Sequence, residues 1–487
     1  MIFSQFVTGV FSSGLVIIIV MANIIFAISV VFFERKKPSV ALLWVSVLFF
    51  LPIFGFLLYL VFGQTIYKGR IFLLKEEDDN LKKKMIAQHE KDLQGINIPL
   101  EDKTGDYLNM VKMLLRNDQA IISGDNTVEV YTDGYAKFGA LLEAIDQATN
   151  FIHLQYYIIR NDDLSRQIAS ALARKAREGV TVRVLGDAVG CHNLPKDFFR
   201  ELTDAGGEVA WFFRSKYLRI NMRVNYRNHR KIAIIDGKTG FIGGFNIGDE
   251  YLGKGPLGNW RDTHLQITGS AVHSLQTRFF MDWNHAAEAD LGFEKRYFPA
   301  AKTPPGTLVQ IVSSGPDSRG EAIKKGYLNL INNARESVWI QTPYFIPDGS
   351  IMDALKIAAE SGVDVRIMFP CKPDHPLVYW AGFSYLWELM DSGVRVYTYD
   401  NGFIHAKTVT VDGVAASVGS ANWDIRSFSL NFEANAFLYR GEIPLALKQI
   451  FTDDIASCTE VTPEMYKQRT LLVRFKEPFS RLFSGIL

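Results

Sequence analysis

The chain has 487 residues, 48% hydrophobic and 22% charged, too long for one small domain and too apolar for a disordered polymer. Lys+Arg 53 against Asp+Glu 52 leaves a formal charge of +1, which excludes the overall basicity of a general nucleic-acid coat and makes any anion site a local one. Cys191, Cys371 and Cys458 are odd in number and far apart, which excludes a disulfide framework or a zinc ribbon and fits a reduced compartment.

From Phe6 to Phe33, and again from Ser39 to Phe62, no side chain is charged. Each stretch is long enough for a helix crossing a hydrocarbon core, which needs roughly 20 residues. The predicted arrangement is a two-helix transmembrane hairpin over 1–65, with spans at about 6–33 and 39–62. The turn Glu34-Arg35-Lys36-Lys37-Pro38 is too short to hold a domain, and no basic segment precedes the first span as it would in a cleaved signal peptide. Lys68, Arg70, Lys75, Lys82, Lys83 and Lys84 outnumber the cations of the turn, which places the main body on the cytoplasmic side. The segment 66–120, dense in both charge signs, reads as a linker or helical stalk.

Beyond it the periodicity changes to that of a soluble α/β protein. Val128–Tyr131 reads as a strand, Phe138–Ala148 as a helix, Phe151–Tyr157 as a strand, Leu164–Glu178 as a helix stopped by Gly179, and Val180–Leu185 as a strand. The same order returns with Leu308–Val312, a helix to Ala334, Val338–Tyr344, a helix ended by Gly362, and Val363–Met368. The phrases Arg177-Glu178-Gly179-Val180-Thr181-Val182-Arg183 and Glu360-Ser361-Gly362-Val363-Asp364-Val365-Arg366 align without a gap. The chain therefore reads as a duplication. Two α/β/α sandwich domains, 121–300 and 301–460, are expected to pack face to face, with ligand sites at strand ends.

Each repeat carries one constellation. The first has His229-Arg230-Lys231, Asp236 and then Gly243-Gly244-Phe245-Asn246; the second has His405-Ala406-Lys407, Asp412 and then Gly419-Ser420-Ala421-Asn422. Chance supplies roughly 0.02 such His-x-Lys-x-x-x-x-Asp patterns in a chain of this composition, so two at matched offsets carry chemistry. On a strand running Phe403–Val411, His405 and Lys407 would point to the same face. Lys231, Lys407 and the amides of Asn246 and Asn422 supply donors to a phosphate, and the glycines let backbone approach. The two histidines can divide an in-line displacement, one attacking phosphorus and the other moving the proton, with no metal or other cofactor needed. Asp262 and Glu433 lie at similar distances after the two histidines and are candidates to orient them. Asp236 and Asp412 complete the motif as candidate catalytic residues, with an ion pair or backbone bond as their structural alternative.

These residues resemble the paired His-Lys-Asp motifs of the phospholipase D superfamily, and the resemblance spans roughly Asp125 to Arg440. With the uncharged spans, Leu51-Pro52-Ile53-Phe54-Gly55 and Gly243-Gly244-Phe245-Asn246-Ile247-Gly248-Asp249-Glu250-Tyr251, the chain is similar to the superfamily's bacterial cardiolipin synthase branch. The resemblance implies a transphosphatidylation at the cell membrane: the phosphatidyl group of one phosphatidylglycerol is held on a histidine, glycerol leaves, and a second phosphatidylglycerol takes its place. It also implies that His229 and His405 are nucleophile and acid/base; the motif pattern leaves open which of them attacks, and family precedent leans toward His229. Lys231, Lys407, Asn246 and Asn422 would bind phosphate, and Asp262 and Glu433 would support the histidines. Gly244 stands where the second motif has Ser420, so the first lacks a hydroxyl. The expected partners are phosphatidylglycerol and membrane lipid, not nucleic acid. A phospholipase D using water, or a transferase using another alcohol, is the alternative.

Two further surfaces stand out. Arg214, Lys216, Arg219, Arg223 and Arg227 with interleaved aromatics suit anionic headgroups. The tail 461–487 mixes Leu471, Leu472, Phe475, Phe479 and Leu482 with Arg469, Arg474, Lys476 and Arg481, and reads as a basic amphipathic segment interrupted by Pro478.

Overall fold

The computed structural model describes residues 14–32, 38–59, 105–213, 225–292, 294–300, 304–317 and 320–485. Most of the charged linker, and the basic cluster from Arg214 to Arg223, lie outside the described residues. The chain divides into two units, one built on the amino-terminal helices and one containing both repeats.

In the first unit, α1 (Gly14–Phe32) is followed by α2 (Pro38–Phe50) and α3 (Pro52–Leu58). The expected second span is thus not one helix. Pro52 has no N–H to give the Leu48 carbonyl, and the helix breaks at Leu51. Asn23 of α1 supplies the missing donor, its Nδ2 lying 3.3 Å from the Leu48 oxygen. Gly55 allows the fold-back, because a Cβ there would sit 2.4 Å from the Val47 oxygen. Among the described residues no helix is long and apolar enough to cross a membrane. The 19 residues of α1 reach about 28 Å at 1.5 Å per residue, just short of a hydrocarbon core of about 30 Å.

The second unit opens with α4 (Gly105–Asp118), whose Tyr107, Met110 and Leu114 are buried in the core of the second repeat rather than standing in a stalk. The first repeat then runs β1 (Ile122–Tyr131), α5 (Gly134–Gln147), β2 (Phe151–Tyr156), α6 (Asp163–Arg177), β3 (Thr181–Asp187), β4 (Glu208–Phe212), β5 (Ile232–Ile235), β6 (Thr239–Gly243), β7 (His264–Thr268) and α7 (Ala271–Ala287). Asp133 and Asp162 cap α5 and α6 through their side chains, and Gly179, at φ +89, ends the α6 turn as only glycine does cheaply.

The second repeat follows with β8 (Thr307–Ser314), α8 (Ala322–Asn332), β9 (Ser337–Gln341), α9 (Gly349–Glu360), β10 (Asp364–Pro370), α10 (Pro376–Met390), β11 (Arg395–Tyr399), β12 (Thr408–Val411), β13 (Ala415–Gly419), β14 (Asn431–Tyr439), α11 (Glu442–Ile455), β15 (Cys458–Val461) and α12 (Leu471–Arg481).

All these strands form one sheet, ordered β15-β11-β10-β9-β12-β13-β14-β8-β1-β7-β6-β5-β2-β3-β4. Outward from the β8–β1 pair the two halves have the same order, with parallel β2–β3–β4 matched by parallel β9–β10–β11. The repeats are therefore joined edge to edge through antiparallel β1 and β8, not packed face to face as expected. A lone edge strand would leave its ladder unpaired, and here each repeat covers the other's. In the first repeat, α5 and α6 pack with Ile152, Leu154, Val182 and Val184 on one face. The opposite face carries His153, stacked on Phe279 of α7 at 4.5 Å. Each repeat is thus a helix–sheet–helix sandwich.

Candidate active site

Neither motif lies on a continuous strand. Arg227–Asn228 pairs in parallel with Asn431–Phe432 of the second repeat, and the chain then turns into β5 of its own repeat. Phe403–Ile404 pairs with Trp260–Arg261 of the first repeat before entering β12. His229 and His405 sit at these two changes of partner. The His229 N–H donates to the Phe432 carbonyl at 2.9 Å, and the His405 N–H to the Arg261 carbonyl at 2.7 Å.

Because each histidine is docked on the residue preceding the other repeat's carboxylate, the supports are exchanged. His229 Nδ1 lies 2.9 Å from Glu433 Oε2, and His405 Nδ1 lies 2.6 Å from Asp262 Oδ2. An ionised carboxylate only accepts, so Nδ1–H donates in both pairs and Nε2 is left for a substrate. Both imidazoles are held neutral at physiological pH: burial pushes His229 down to about 4 against the pull of Glu433, and burial with Lys407 pushes His405 down to about 3.

The two supports differ in kind. Burial works against an ionised Glu433, but His229, Lys231 and Ser420 together hold its pKa below the usual range. Ser420 Oγ donates to Oε2 at 2.5 Å and Asn431 Nδ2 to Oε1 at 3.2 Å. Asp262 accepts the Thr263 N–H at 2.7 Å and has a glycine opposite, where a Cβ on Gly244 would come within 2.0 Å of its Oδ1. The missing hydroxyl on the first side is therefore a steric requirement of the shorter carboxylate.

Lys231 and Lys407 are fully buried, and each ammonium donates to the carbonyl of its own histidine. Burial lowers Lys407 to about 8, with Asp262 and Glu433 opposing, and drives Lys231 well below its ordinary value. With both lysines protonated, two ammonium groups face two carboxylates, and an entering phosphodiester adds the negative charge that favours a proton on one imidazole. Asn246 spends its amide on Tyr251 Oη at 2.9 Å and on the Ile158 N–H at 3.2 Å. Asn422 Oδ1 is buried with no hydrogen-bond partner among the described residues. Among the described residues no group of three or more His, Cys, Asp or Glu side chains is placed to hold a metal ion.

Asp236 and Asp412 are not brought to the histidines. Each stands at positive φ before a positive-φ glycine, in the three-residue tip of the β5–β6 or β12–β13 hairpin, where Asp-Gly suits the left-handed backbone of the turn. Asp236 accepts the N–H groups of Thr149, Asn150 and Phe151 at 2.8, 2.7 and 2.9 Å. Asp412 accepts those of Arg335, Glu336 and Ser337 at 2.9, 2.8 and 2.7 Å. Burial favours a neutral Asp236, and these backbone bonds win, holding it below the ordinary carboxylate range. Both aspartates anchor the start of the strand beside their hairpin.

Sequence reasoning missed the aromatic walls and two arginines. Tyr157 meets the His229 ring edge-on at 4.8 Å; Trp260 lies 5.3 Å from His405, and Tyr251 Oη lies 3.4 Å from His405 Nδ1. Arg230 pairs with Asp282 at 2.6 Å and donates to the Glu433 carbonyl at 3.1 Å. Arg261 pairs with Asp454 at 2.7 Å and donates to the Asp262 carbonyl at 2.6 Å. Each fixes the backbone of one supporting carboxylate, and the only hint in the sequence is that charges stand inside otherwise buried segments.

Residues 141–283 and 327–455 match the family model described as cardiolipin synthase, PLD-like domain, and residues 21–64 match that described as phospholipase D-nuclease N-terminal. The chain is 49% identical to the major cardiolipin synthase of Bacillus subtilis, covering 98% of this chain and 99% of that one. It is 47% identical to a cardiolipin synthase of Staphylococcus aureus, covering 96% and 95%. Among solved structures it is similar in fold to a phosphatidylserine synthase of Haemophilus influenzae, with a TM-score of 0.60 at 17% identity over 78% of this chain and 99% of that one.

Proposed function

The chain belongs to the cardiolipin synthases of the phospholipase D superfamily and is a phosphatidyltransferase, and from that premise we propose how its paired site makes cardiolipin. Phosphatidylglycerol is both donor and acceptor. His229 Nε2 attacks the phosphorus of the first lipid, forming a P–N bond as the bond to the glycerol oxygen breaks, while His405 gives that oxygen a proton. A second phosphatidylglycerol then enters; its terminal hydroxyl yields its proton to His405 as its oxygen displaces His229. Cardiolipin and glycerol are the products, and both histidines return to their starting state.

The observation that carries this reading is the exchanged pair of histidine–carboxylate bonds, which brings two imidazoles with the same tautomer into one buried site beside two lysines. The division of labour is supported by the unequal carboxylates. Asp262 holds His405 at 2.6 Å against 2.9 Å for Glu433 on His229, the closer bond falling to the imidazole assigned the proton; Glu433 is shared with Ser420 and Asn431, which draws its charge away from His229. Lys231, Lys407 and Asn422 take the phosphate oxygens, and Asn246 acts through Tyr251.

We place the enzyme in the cell membrane as a multi-pass protein, with the catalytic unit on the cytoplasmic side. The uncharged amino-terminal sequence supports this, and a broken helix is tolerated in lipid where neighbouring helices satisfy its freed backbone, as Asn23 does for Leu48.

The test is purified protein in detergent with phosphatidylglycerol, beside His229→Ala and His405→Ala, with products resolved by mass spectrometry. Cardiolipin plus glycerol from the parent and neither from the variants is the expected outcome; phosphatidic acid alone would make the protein a hydrolase.

A further inference from the structure

Helix α12 is docked the wrong way round for a soluble protein. Its polar side faces the body: Glu477 is buried and accepts from Trp387 Nε1 of α10 at 3.0 Å, and Arg481 donates to Glu388 of α10 at 2.6 Å and lies 4.1 Å over the Tyr385 ring. Ser480 is buried on the same side. Leu471, Leu472, Phe475, Phe479 and Leu482, by contrast, are 46% to 83% exposed. At about 100° per residue these five fall within an arc of roughly 100°, diametrically opposite Glu477 and Ser480. The expected interruption at Pro478 does not occur: the helix runs through it, held on either side by the Glu477 and Arg481 bonds, although an interior proline is unfavourable.

The charges around this face select its partner. Lys476 borders the apolar arc on one side and Arg474 on the other. From Lys467 to Leu482 there are five cations and one acid, Glu477, and that acid is turned inward with Arg469. A second protein would be met by apolar groups rimmed with both signs; cations alone, on stems able to reach upward from a buried apolar stripe, suit anionic headgroups above acyl chains. Lys476 lies 5.3 Å over Trp380 of α10, and the loop entering α10 holds Asp374, which accepts from Tyr344 Oη and whose charge acts on Lys407 of the site.

We propose that α12 is an interfacial helix, lying in the headgroup region of an anionic bilayer with Leu471, Leu472, Phe475, Phe479 and Leu482 among the acyl chains, and that it holds the catalytic unit against the surface from which its substrate is drawn. The part concerning turnover rests on the lipid substrate proposed above; the insertion itself does not. The full-length protein is reconstituted into vesicles of equal parts phosphatidylglycerol and phosphatidylcholine, with Leu472→Cys carrying a fluorophore and the unsubstituted chain as labelling background. Quenching by lipids spin-labelled high on the acyl chain, with protection from aqueous iodide, is the expected result, and it is independent of whether the protein makes cardiolipin. Quenching by iodide alone, or shielding from both quenchers in detergent as well as in vesicles, which would mean a protein partner or a second copy, overturns the proposal. In the second arm, Phe475→Glu/Phe479→Glu is expected to reduce turnover of vesicle phosphatidylglycerol at least tenfold while leaving turnover of a monomeric short-chain phosphatidylglycerol within twofold. An equal loss on both substrates overturns the role in turnover.

Discussion

The two half-sites carry the same motif and are built differently. Around His229 the support is a glutamate with a serine hydroxyl on its oxygen; around His405 it is an aspartate facing a glycine that leaves no room for a side chain. Arg230 in the first motif, which fixes the Glu433 carbonyl, has Ala406 as its counterpart, and the second anchoring arginine comes instead from beside Asp262. Neither repeat contains a complete half-site, because each histidine depends on a carboxylate from the other. Duplication supplied the symmetry, and in the proposed mechanism the unequal carboxylates divide the work between a nucleophilic and a proton-transferring imidazole.

The comparison breaks most severely when the supports are removed. Asp262→Asn and Glu433→Gln are each expected to lower kcat by about 10³-fold, since an amide can hold the wrong tautomer. The loss is to be read with phosphatidylglycerol at saturation. Next is Gly244→Ala, which must displace Asp262 and should cost about 10²-fold in kcat. Its counterpart Ser420→Ala removes one hydrogen bond to a charged group, a loss on the order of tenfold. Equal losses at these two positions would erase the distinction drawn between the halves.

A smaller effect sharpens the role of the lysines. In the proposed mechanism Lys407 binds phosphate as the cation, and its pKa is lowered to about 8, so the binding form is present below that pH and lost above it. KM is therefore expected to climb as pH rises past about 8, roughly tenfold per unit at its steepest, with kcat less affected because a bound anion restores the proton. Lys407→Arg should remove this limb. Least disruptive to catalysis are Asp236→Asn and Asp412→Asn, each expected to cost about 1–2 kcal/mol of stability by weakening bonds to backbone N–H groups, with kcat within threefold. Thermal unfolding beside initial rates measures both.

Much of this architecture was legible in the sequence. Helix boundaries followed from Gly179 and Gly362, the order of strands and helices along the chain from the repeated Gly-Val-x-Val-Arg phrase, and the candidate site from two matched motifs. The Asp-Gly pairs at 236–237 and 412–413 carried a turn signal that points to their structural position, but grouping them with the motif obscured it. The exchange of carboxylates was not legible. Spacing along a chain says nothing about which repeat a strand end pairs with, and it is the Phe432 and Arg261 carbonyls that decide it. Tyr157, Tyr251 and Trp260 were hidden for a related reason, since aromatics abound in any core and only the fold distinguishes those touching an imidazole. At α2 and α12 prolines had opposite outcomes: Pro52 breaks its helix and Pro478 does not, because long-range bonds and not the local residue set the balance.

The central claim is that His229 attacks while supported by Glu433, and His405 moves protons while supported by Asp262. It is tested most directly with a phosphatidyl ester of nitrophenol, whose departure needs no acid, followed through the first turnover with the phosphoenzyme mapped by mass spectrometry. The account predicts a burst of nitrophenolate and a label on His229 in the parent, in His405→Ala and in Asp262→Asn, a slowed burst in Glu433→Gln, and none in His229→Ala. A label on His405, or a burst from His229 slowed by Asp262→Asn and untouched by Glu433→Gln, would contradict it.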